Sequence, residues 1–166
     1  MSDLLYNICK AGLYVDYYSC IDNHSRISDN KVDSLDSESL ARIIPWFIKE
    51  RLKHVNNFNL IDNNISHDII KFKVFDYNIV GLHGDNDKDV LKSTKVFFKD
   101  HIDLFCIAHL HHFNIDEDNN SILVRNGSLV GTDSFSYRLR KSNIPSQTMI
   151  VSSKNNIIEA ILKINC

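Results

Sequence analysis

Ile102-Asp103-Leu104-Phe105-Cys106-Ile107-Ala108-His109-Leu110-His111-His112 is the stretch on which the reading of the fold turns. Its first part is an almost continuous apolar run, of strand length and too short for a core helix. It predicts a central strand buried on both faces. The character then changes within two residues, from apolar to imidazole-rich. Strand ends in α/β sheets are where such proteins gather their chemistry.

The same change of character occurs twice upstream. Asn78 to Leu82 reads as a strand and runs into His83-Gly84-Asp85; Tyr14 to Ile21 is aromatic and β-branched and runs into Asp22-Asn23-His24-Ser25-Arg26. Imidazoles and a carboxamide oxygen are ligands for borderline transition metals. In an extended segment residues two apart point the same way, so His109 and His111 can face one site while His112 points elsewhere. Gly84 allows close approach of the backbone to a ligand. Asp85 either orients an imidazole or caps the next turn. Asn23 offers a neutral oxygen donor, or is ordinary turn chemistry.

Working outward, Leu4 to Lys10 predicts the last turns of a helix, with Gly12 just past its end. Asp29 to Ser39 is a polar loop. From Leu40 the apolar residues Ile43, Ile44, Phe47, Ile48, Leu52 and Val55 recur at helical spacing; Pro45 within them marks the first turn or kinks the helix. Ile69 to Phe75 is a strand turning near Asp76 and Tyr77 into the next, and Val90 to Phe98 is a short helix. Asp116 to Asn120 is turn-rich and Ile122 to Arg125 a strand. Asp133 to Leu139 is a short helix, and Thr148 to Ser153 with Ile157 to Ile164 forms a hairpin around Lys154-Asn155-Asn156. The expectation is an α/β architecture leaning to α+β, with a mixed sheet and helices on its faces.

A chain of 166 residues, 43% hydrophobic and 24% charged, can bury a proper core. With 19 basic and 21 acidic residues and a net charge of -2, no basic field exists to hold a long polyanion, so any nucleic acid must bind locally. Cys9, Cys20, Cys106 and Cys166 form no Cys-x-x-Cys pair. No apolar stretch could span a bilayer and no signal peptide is visible, so reduced thiols in a cytoplasmic protein are expected, with no membrane partner.

Taken in order, Asp22-Asn23-His24-Ser25-Arg26, His83-Gly84-Asp85 and Ala108-His109-Leu110-His111 resemble motifs of the calcineurin-like metallophosphoesterase superfamily. Those motifs run Gly-Asn-His-(Asp/Glu), an isolated His, and Gly-His-x-His. More narrowly, Asn-His-Ser-Arg, His-Gly-Asp and Val124-Arg125-Asn126-Gly127-Ser128, followed by Asp133-Ser134-Phe135-Ser136-Tyr137-Arg138, are similar to phage-type members described as DNA-repair exonuclease-like. Asp22 and Ala108 stand where the family has glycine. The resemblance implies a four-layer sandwich of mixed sheets flanked by helices. The family's Asp-x-His and Gly-Asp-x-x-Asp motifs lie upstream on its first two βα units, and none precedes Asn23. A single domain over residues 1–166 is therefore expected, N-terminally incomplete and matching the C-terminal two thirds of the family's domain.

In that family two metals clamp a phosphate while a metal-bound hydroxide attacks phosphorus. Carried over, Asn23, His83 and His109 resemble the ligands of one metal and His111 a ligand of the other. His24 matches the residue that stabilises the transition state or protonates the leaving oxygen. Arg26 contacts a phosphate or is simply solvated. The implied cofactors are divalent transition metals (Mn, Zn, Fe or Ni), two in the family and one here, held at reduced affinity because the upstream ligands are missing. The implied function is hydrolysis of phosphodiesters or nucleic acid, weak or absent without the upstream motifs. A complementing N-terminal chain or a homo-oligomer is the expected partner. Two readings compete: a catalytically silent subunit or binding module that keeps the fold, and a mononuclear zinc hydrolase using His83, His109 and His111.

Overall fold

In the computed structural model the described residues are 1–30, 35–62, 65–85, 89–132, 134–138, 140 and 142–166, with only the backbone described at 93–96 and 135. By internal contacts they form two compact units, Met1–Ile70 and Lys71–Cys166. Asp133 and Leu139, the ends of one expected helix, and part of the expected loop from Asp29 lie outside the described residues.

The first unit opens with α1 (Ser2–Lys10), whose buried Leu5 and Cys9 lie four apart on one face. Asp3 in its first turn and Lys10 in its last complement the helix dipole. The chain leaves the helix through Gly12 at φ +88°, a left-handed exit that glycine adopts without strain. β1 covers only Val15–Tyr17, shorter than the expected strand. Two 3₁₀ turns, Asp36–Glu38 and Leu40–Arg42, lead into α2 (Ile43–Leu52). Pro45 thus falls in the first helical turn, where its missing N–H costs nothing. β2 (Phe58–Leu60) pairs with β1 in parallel, Val15 opposite Phe58 and Tyr17 opposite Leu60. Leu5, Ile48 and Leu52 form the core, with Val15, Tyr17, Val55 and Phe58 packed on it.

The second unit is built on a five-stranded mixed sheet. β3 (Ile69–Val74) starts at the division between units and turns through Phe75 and Asp76 into β4 (Tyr77–Leu82). α3 (Val90–Phe97) and β5 (Leu104–Ile107) follow, then β6 (Asn114–Asp118) and β7 (Ser121–Arg125). The order is β3-β4-β5-β7-β6, which puts β5 in the centre. Leu104, Phe105 and Ile107 are buried there, as the apolar run predicts. β4, β5 and β7 run parallel, and β6 is antiparallel to β7. After α4 (Ser134–Arg138), β8 (Ser146–Val151) and β9 (Ala160–Asn165) pair antiparallel as a separate sheet. Ile150 and Ile161 of that pair, with Ile157 and Ile158, pack against Ile79, Leu104 and Val124. The architecture is mixed α/β, a mixed sheet with a second β layer and flanking helices. Among the described residues no helix is long and apolar enough to cross a membrane.

Candidate functional site

Parallel pairing fixes where the second unit's polar residues fall. Leu82 lies opposite Ile107, and Ile107 opposite Arg125, so β4, β5 and β7 all finish at one edge of the sheet. The backbone continues the ladder one step further. Ala108 N–H donates to the His83 carbonyl at 3.2 Å and Asn126 N–H to that of Ile107 at 2.7 Å. His83 and His109 are thereby delivered to adjacent strand ends. Their rings meet edge to face, centroids 5.0 Å apart at 74°, with Nδ1 of His109 3.1 Å from Nε2 of His83. One of these nitrogens donates to the other.

A local device aims His109. Leu110 N–H donates to the Ala108 carbonyl at 2.7 Å, closing a three-residue turn around His109, whose φ is +57°. His111 is also left-handed, at φ +58°. Segment 108–111 is therefore not extended, and the alternation that would aim both imidazoles together does not govern it. The structure brings His83 and His109 together; His111, half-buried, is not part of that hydrogen-bonded pair. His112 donates through Nδ1 to the Leu110 carbonyl at 3.0 Å, a loop contact consistent with a bystander.

The donor set fits a metal in part. Two nitrogens bound to one tetrahedral zinc at about 2.05 Å stand about 3.3 Å apart, close to the spacing of this pair. Among the described residues no third His, Cys, Asp or Glu joins them in a group able to hold an ion. A cleft of about 540 Å³ adjoins, lined by His109, Gly84, Asp85, Asp89, Asp116 and Arg125 among others. Asp89 also caps α3, accepting from the Lys92 N–H at 3.3 Å. Arg125 closes β7 and reaches this cleft because β7 lies beside β5, a neighbour relation that the sequence does not show. Its Nε is buried without a hydrogen-bond partner among the described residues. The available signal was a lone cation closing the apolar run Ile122-Leu123-Val124.

In the first unit, the loop after β1 is organised by Asp22. Its carboxylate accepts the N–H of His24 at 2.6 Å and of Ser25 at 2.9 Å, an Asx turn. Neither Asp22 nor Ala108 has a positive φ, so the non-glycine residues are accommodated without strain. Arg26 donates through Nη1 to the Asn23 carbonyl, while its Nε is buried and lacks a partner among the described residues. Ser25 is fastened to the segment before α2 through Ser39 Oγ at 2.8 Å and the Leu40 N–H at 2.8 Å. Asn23 is half-buried and His24 exposed. Nearby Cys20 has its thiol pushed up to about 11 by burial first and then by the carboxylates of Asp68 and Asp22. That holds it as a neutral, unreactive thiol.

No family model matches the chain, and no curated protein matches it. Among solved structures it is similar to the vacuolar sorting protein Vps29 of Entamoeba histolytica in complex with zinc, at 13% identity over 72% of this chain and 75% of that one, TM-score 0.48. It is similar to an archaeal phosphodiesterase at 18% identity, over 72% of this chain and 60% of that one, TM-score 0.46. A Thermotoga maritima protein shows 12% identity over 75% of this chain and 73% of its own, TM-score 0.49.

Proposed function

We propose that this protein is a metal-dependent phosphoesterase of the calcineurin-like, phage-type kind, with His83 and His109 as the nucleus of its metal centre. The observation that carries the reading is the 3.1 Å approach of their ring nitrogens at the ends of two adjacent parallel strands. Phosphodiesters or nucleic acid are the substrates, and Mn, Zn, Fe or Ni the metal. A divalent ion held there supplies Lewis-acid charge at a phosphoryl oxygen.

The chain's own residues do the rest. The turn around His109 and the ladder bond to the His83 carbonyl hold the two rings side by side, and metal entry would replace the hydrogen bond between their nitrogens. Arg125 brings a guanidinium able to hold phosphate oxygens to the neighbouring cleft, which it shares with the carboxylates of Asp85, Asp89 and Asp116. Family resemblance also assigns Asn23 and His111 as ligands, His24 as proton donor to the leaving oxygen, and Arg26 to the phosphate. Arg26 has a competing role, since it already ties down the Asn23 carbonyl.

A second reading has its own support: only two ring nitrogens converge among the described residues. A silent subunit or binding module of the same fold would need no more. Hydrolysis of bis(p-nitrophenyl) phosphate with Mn²⁺ separates the two. The phosphoesterase reading expects turnover that falls on the order of 100-fold in His24→Ala and in His109→Ala. Metal bound without turnover supports the silent module. Recovery of turnover on co-expression with a polypeptide carrying Asp-x-His and Gly-Asp-x-x-Asp would show that the chain works with a complementing partner.

A further inference from the structure

We propose that the first unit carries a nucleotide-binding cleft, in which Trp46 stacks a base and Arg42 and Lys49 hold its phosphate. The inference deepens the phosphoesterase reading by naming the kind of phosphoester, yet needs nothing from the histidine pair. The cleft has a volume of about 440 Å³, within the range of small-molecule sites. It lies where the parallel strands β1 and β2 end, lined by Cys20 and Ile21 after β1 and by Ile61 and Asp62 after β2. That edge of a parallel sheet is the usual place for a ligand. Cys20 and Ile21 also lead directly into Asp22-Asn23-His24.

One wall of the cleft is α2 and the turn before it. Arg42, Trp46 and Lys49 all line it; their spacing of four and then three residues puts them on one helical face. Trp46 is 61% exposed, a large aromatic residue left in water between two cations. The core does not explain it, because α2 packs through Ile48 and Leu52. An exposed ring flanked by Arg and Lys suits a base with its attached phosphate. Arg42 donates one N–H to the Ser37 carbonyl at 2.9 Å, which steadies the guanidinium and leaves other donors of its fork for an anion. His67 stands on the same cleft, and Asp62 is the opposing charge. In a chain of net charge -2, this local excess of cations is the feature that matches a phosphate.

Trp46 is the only tryptophan, so its emission reports directly on the cleft. The full-length protein in EDTA is titrated with dTMP, with the hexamer (dT)6 and with inorganic phosphate. Saturable quenching by dTMP or (dT)6, absent with phosphate alone, is expected, and Lys49→Glu and Arg42→Glu should each weaken it about tenfold. Tenfold tighter binding of (dT)6 than of dTMP identifies a strand as ligand; equal binding identifies a free nucleotide. His83→Ala/His109→Ala should bind nucleotide unchanged, so loss of metal content in that variant bears on the metal reading alone. No saturable change, equal quenching by phosphate, or undiminished binding in both charge variants would overturn the proposal.

Discussion

At the scale of single residues, the site depends on backbone conformations that side-chain chemistry alone does not announce. His109 turns left-handed at φ +57° so that its ring meets His83, and Gly84 at φ +95° carries the chain away from β4. A Cβ at Gly84 would lie 3.7 Å from its nearest neighbour, on Ile107, so space is not the constraint there. Gly84→Ala is expected to cost about 1–2 kcal/mol through backbone strain alone. Gly131→Ala should cost more, since it adds a contact 2.7 Å from the Pro145 ring to the strain of φ +75°. Urea denaturation of the two variants checks the order. His83 and His109 stood out in the sequence as candidates, and their approach follows from the parallel pairing of β4 with β5. The left-handed backbone at His109 and His111 was not legible there, because alternation assumes an extended chain. Arg125 was visible as a residue but not as a cleft residue, since its place depends on β7 lying beside β5.

Among the elements, those with a strong hydrophobic signature were legible and those made by partners were not. The run Ile102 to Ile107 became the central strand, and the periodicity after Leu40 became α2. β6 reads Asn-Ile-Asp-Glu-Asp, polar enough to pass for a turn; it is a strand because it lies at the sheet edge, where one side needs no apolar cover. β2 is only Phe58–Leu60, defined by pairing with β1 rather than by pattern. The last hairpin was expected to turn within three residues. Instead β8 and β9 are joined through residues 152–159, held by the Ser152 hydroxyl donating to the Ile157 carbonyl and the Glu159 N–H donating to that of Val151. α2 allows a sharp contrast. Ile48 is 1% exposed in the first unit's core and Phe47 beside it is 48% exposed. Ile48→Ala should destabilise by about 2–5 kcal/mol and Phe47→Ala by under about 1 kcal/mol. Thermal melts of the two variants decide this.

For the molecule as a whole, each unit holds a thiol whose ionisation is suppressed. Burial pushes Cys106 in β5 up to about 11, as burial with Asp68 and Asp22 does Cys20. Below the ordinary thiol range both folded and unfolded chains keep these protons, and no pH dependence arises. Between about pH 9 and 11 the unfolded chain releases them and the folded chain does not, so stability falls as pH rises, on the order of 2 kcal/mol from each thiol. Tyr17, raised by burial and by Cys20, adds a loss of the same sign. Denaturant titrations at pH 8 and 10.5 should show the loss, and a Cys20→Ala/Cys106→Ala variant should show less of it. Cys166 is exposed and should be the first thiol alkylated by iodoacetamide. If His83 and His109 form the nucleus of a metal centre, equilibrium dialysis against Mn²⁺ or Zn²⁺ leaves metal on the wild-type protein and removes it from both His83→Ala and His109→Ala. Equal metal content in all three proteins would rule that centre out.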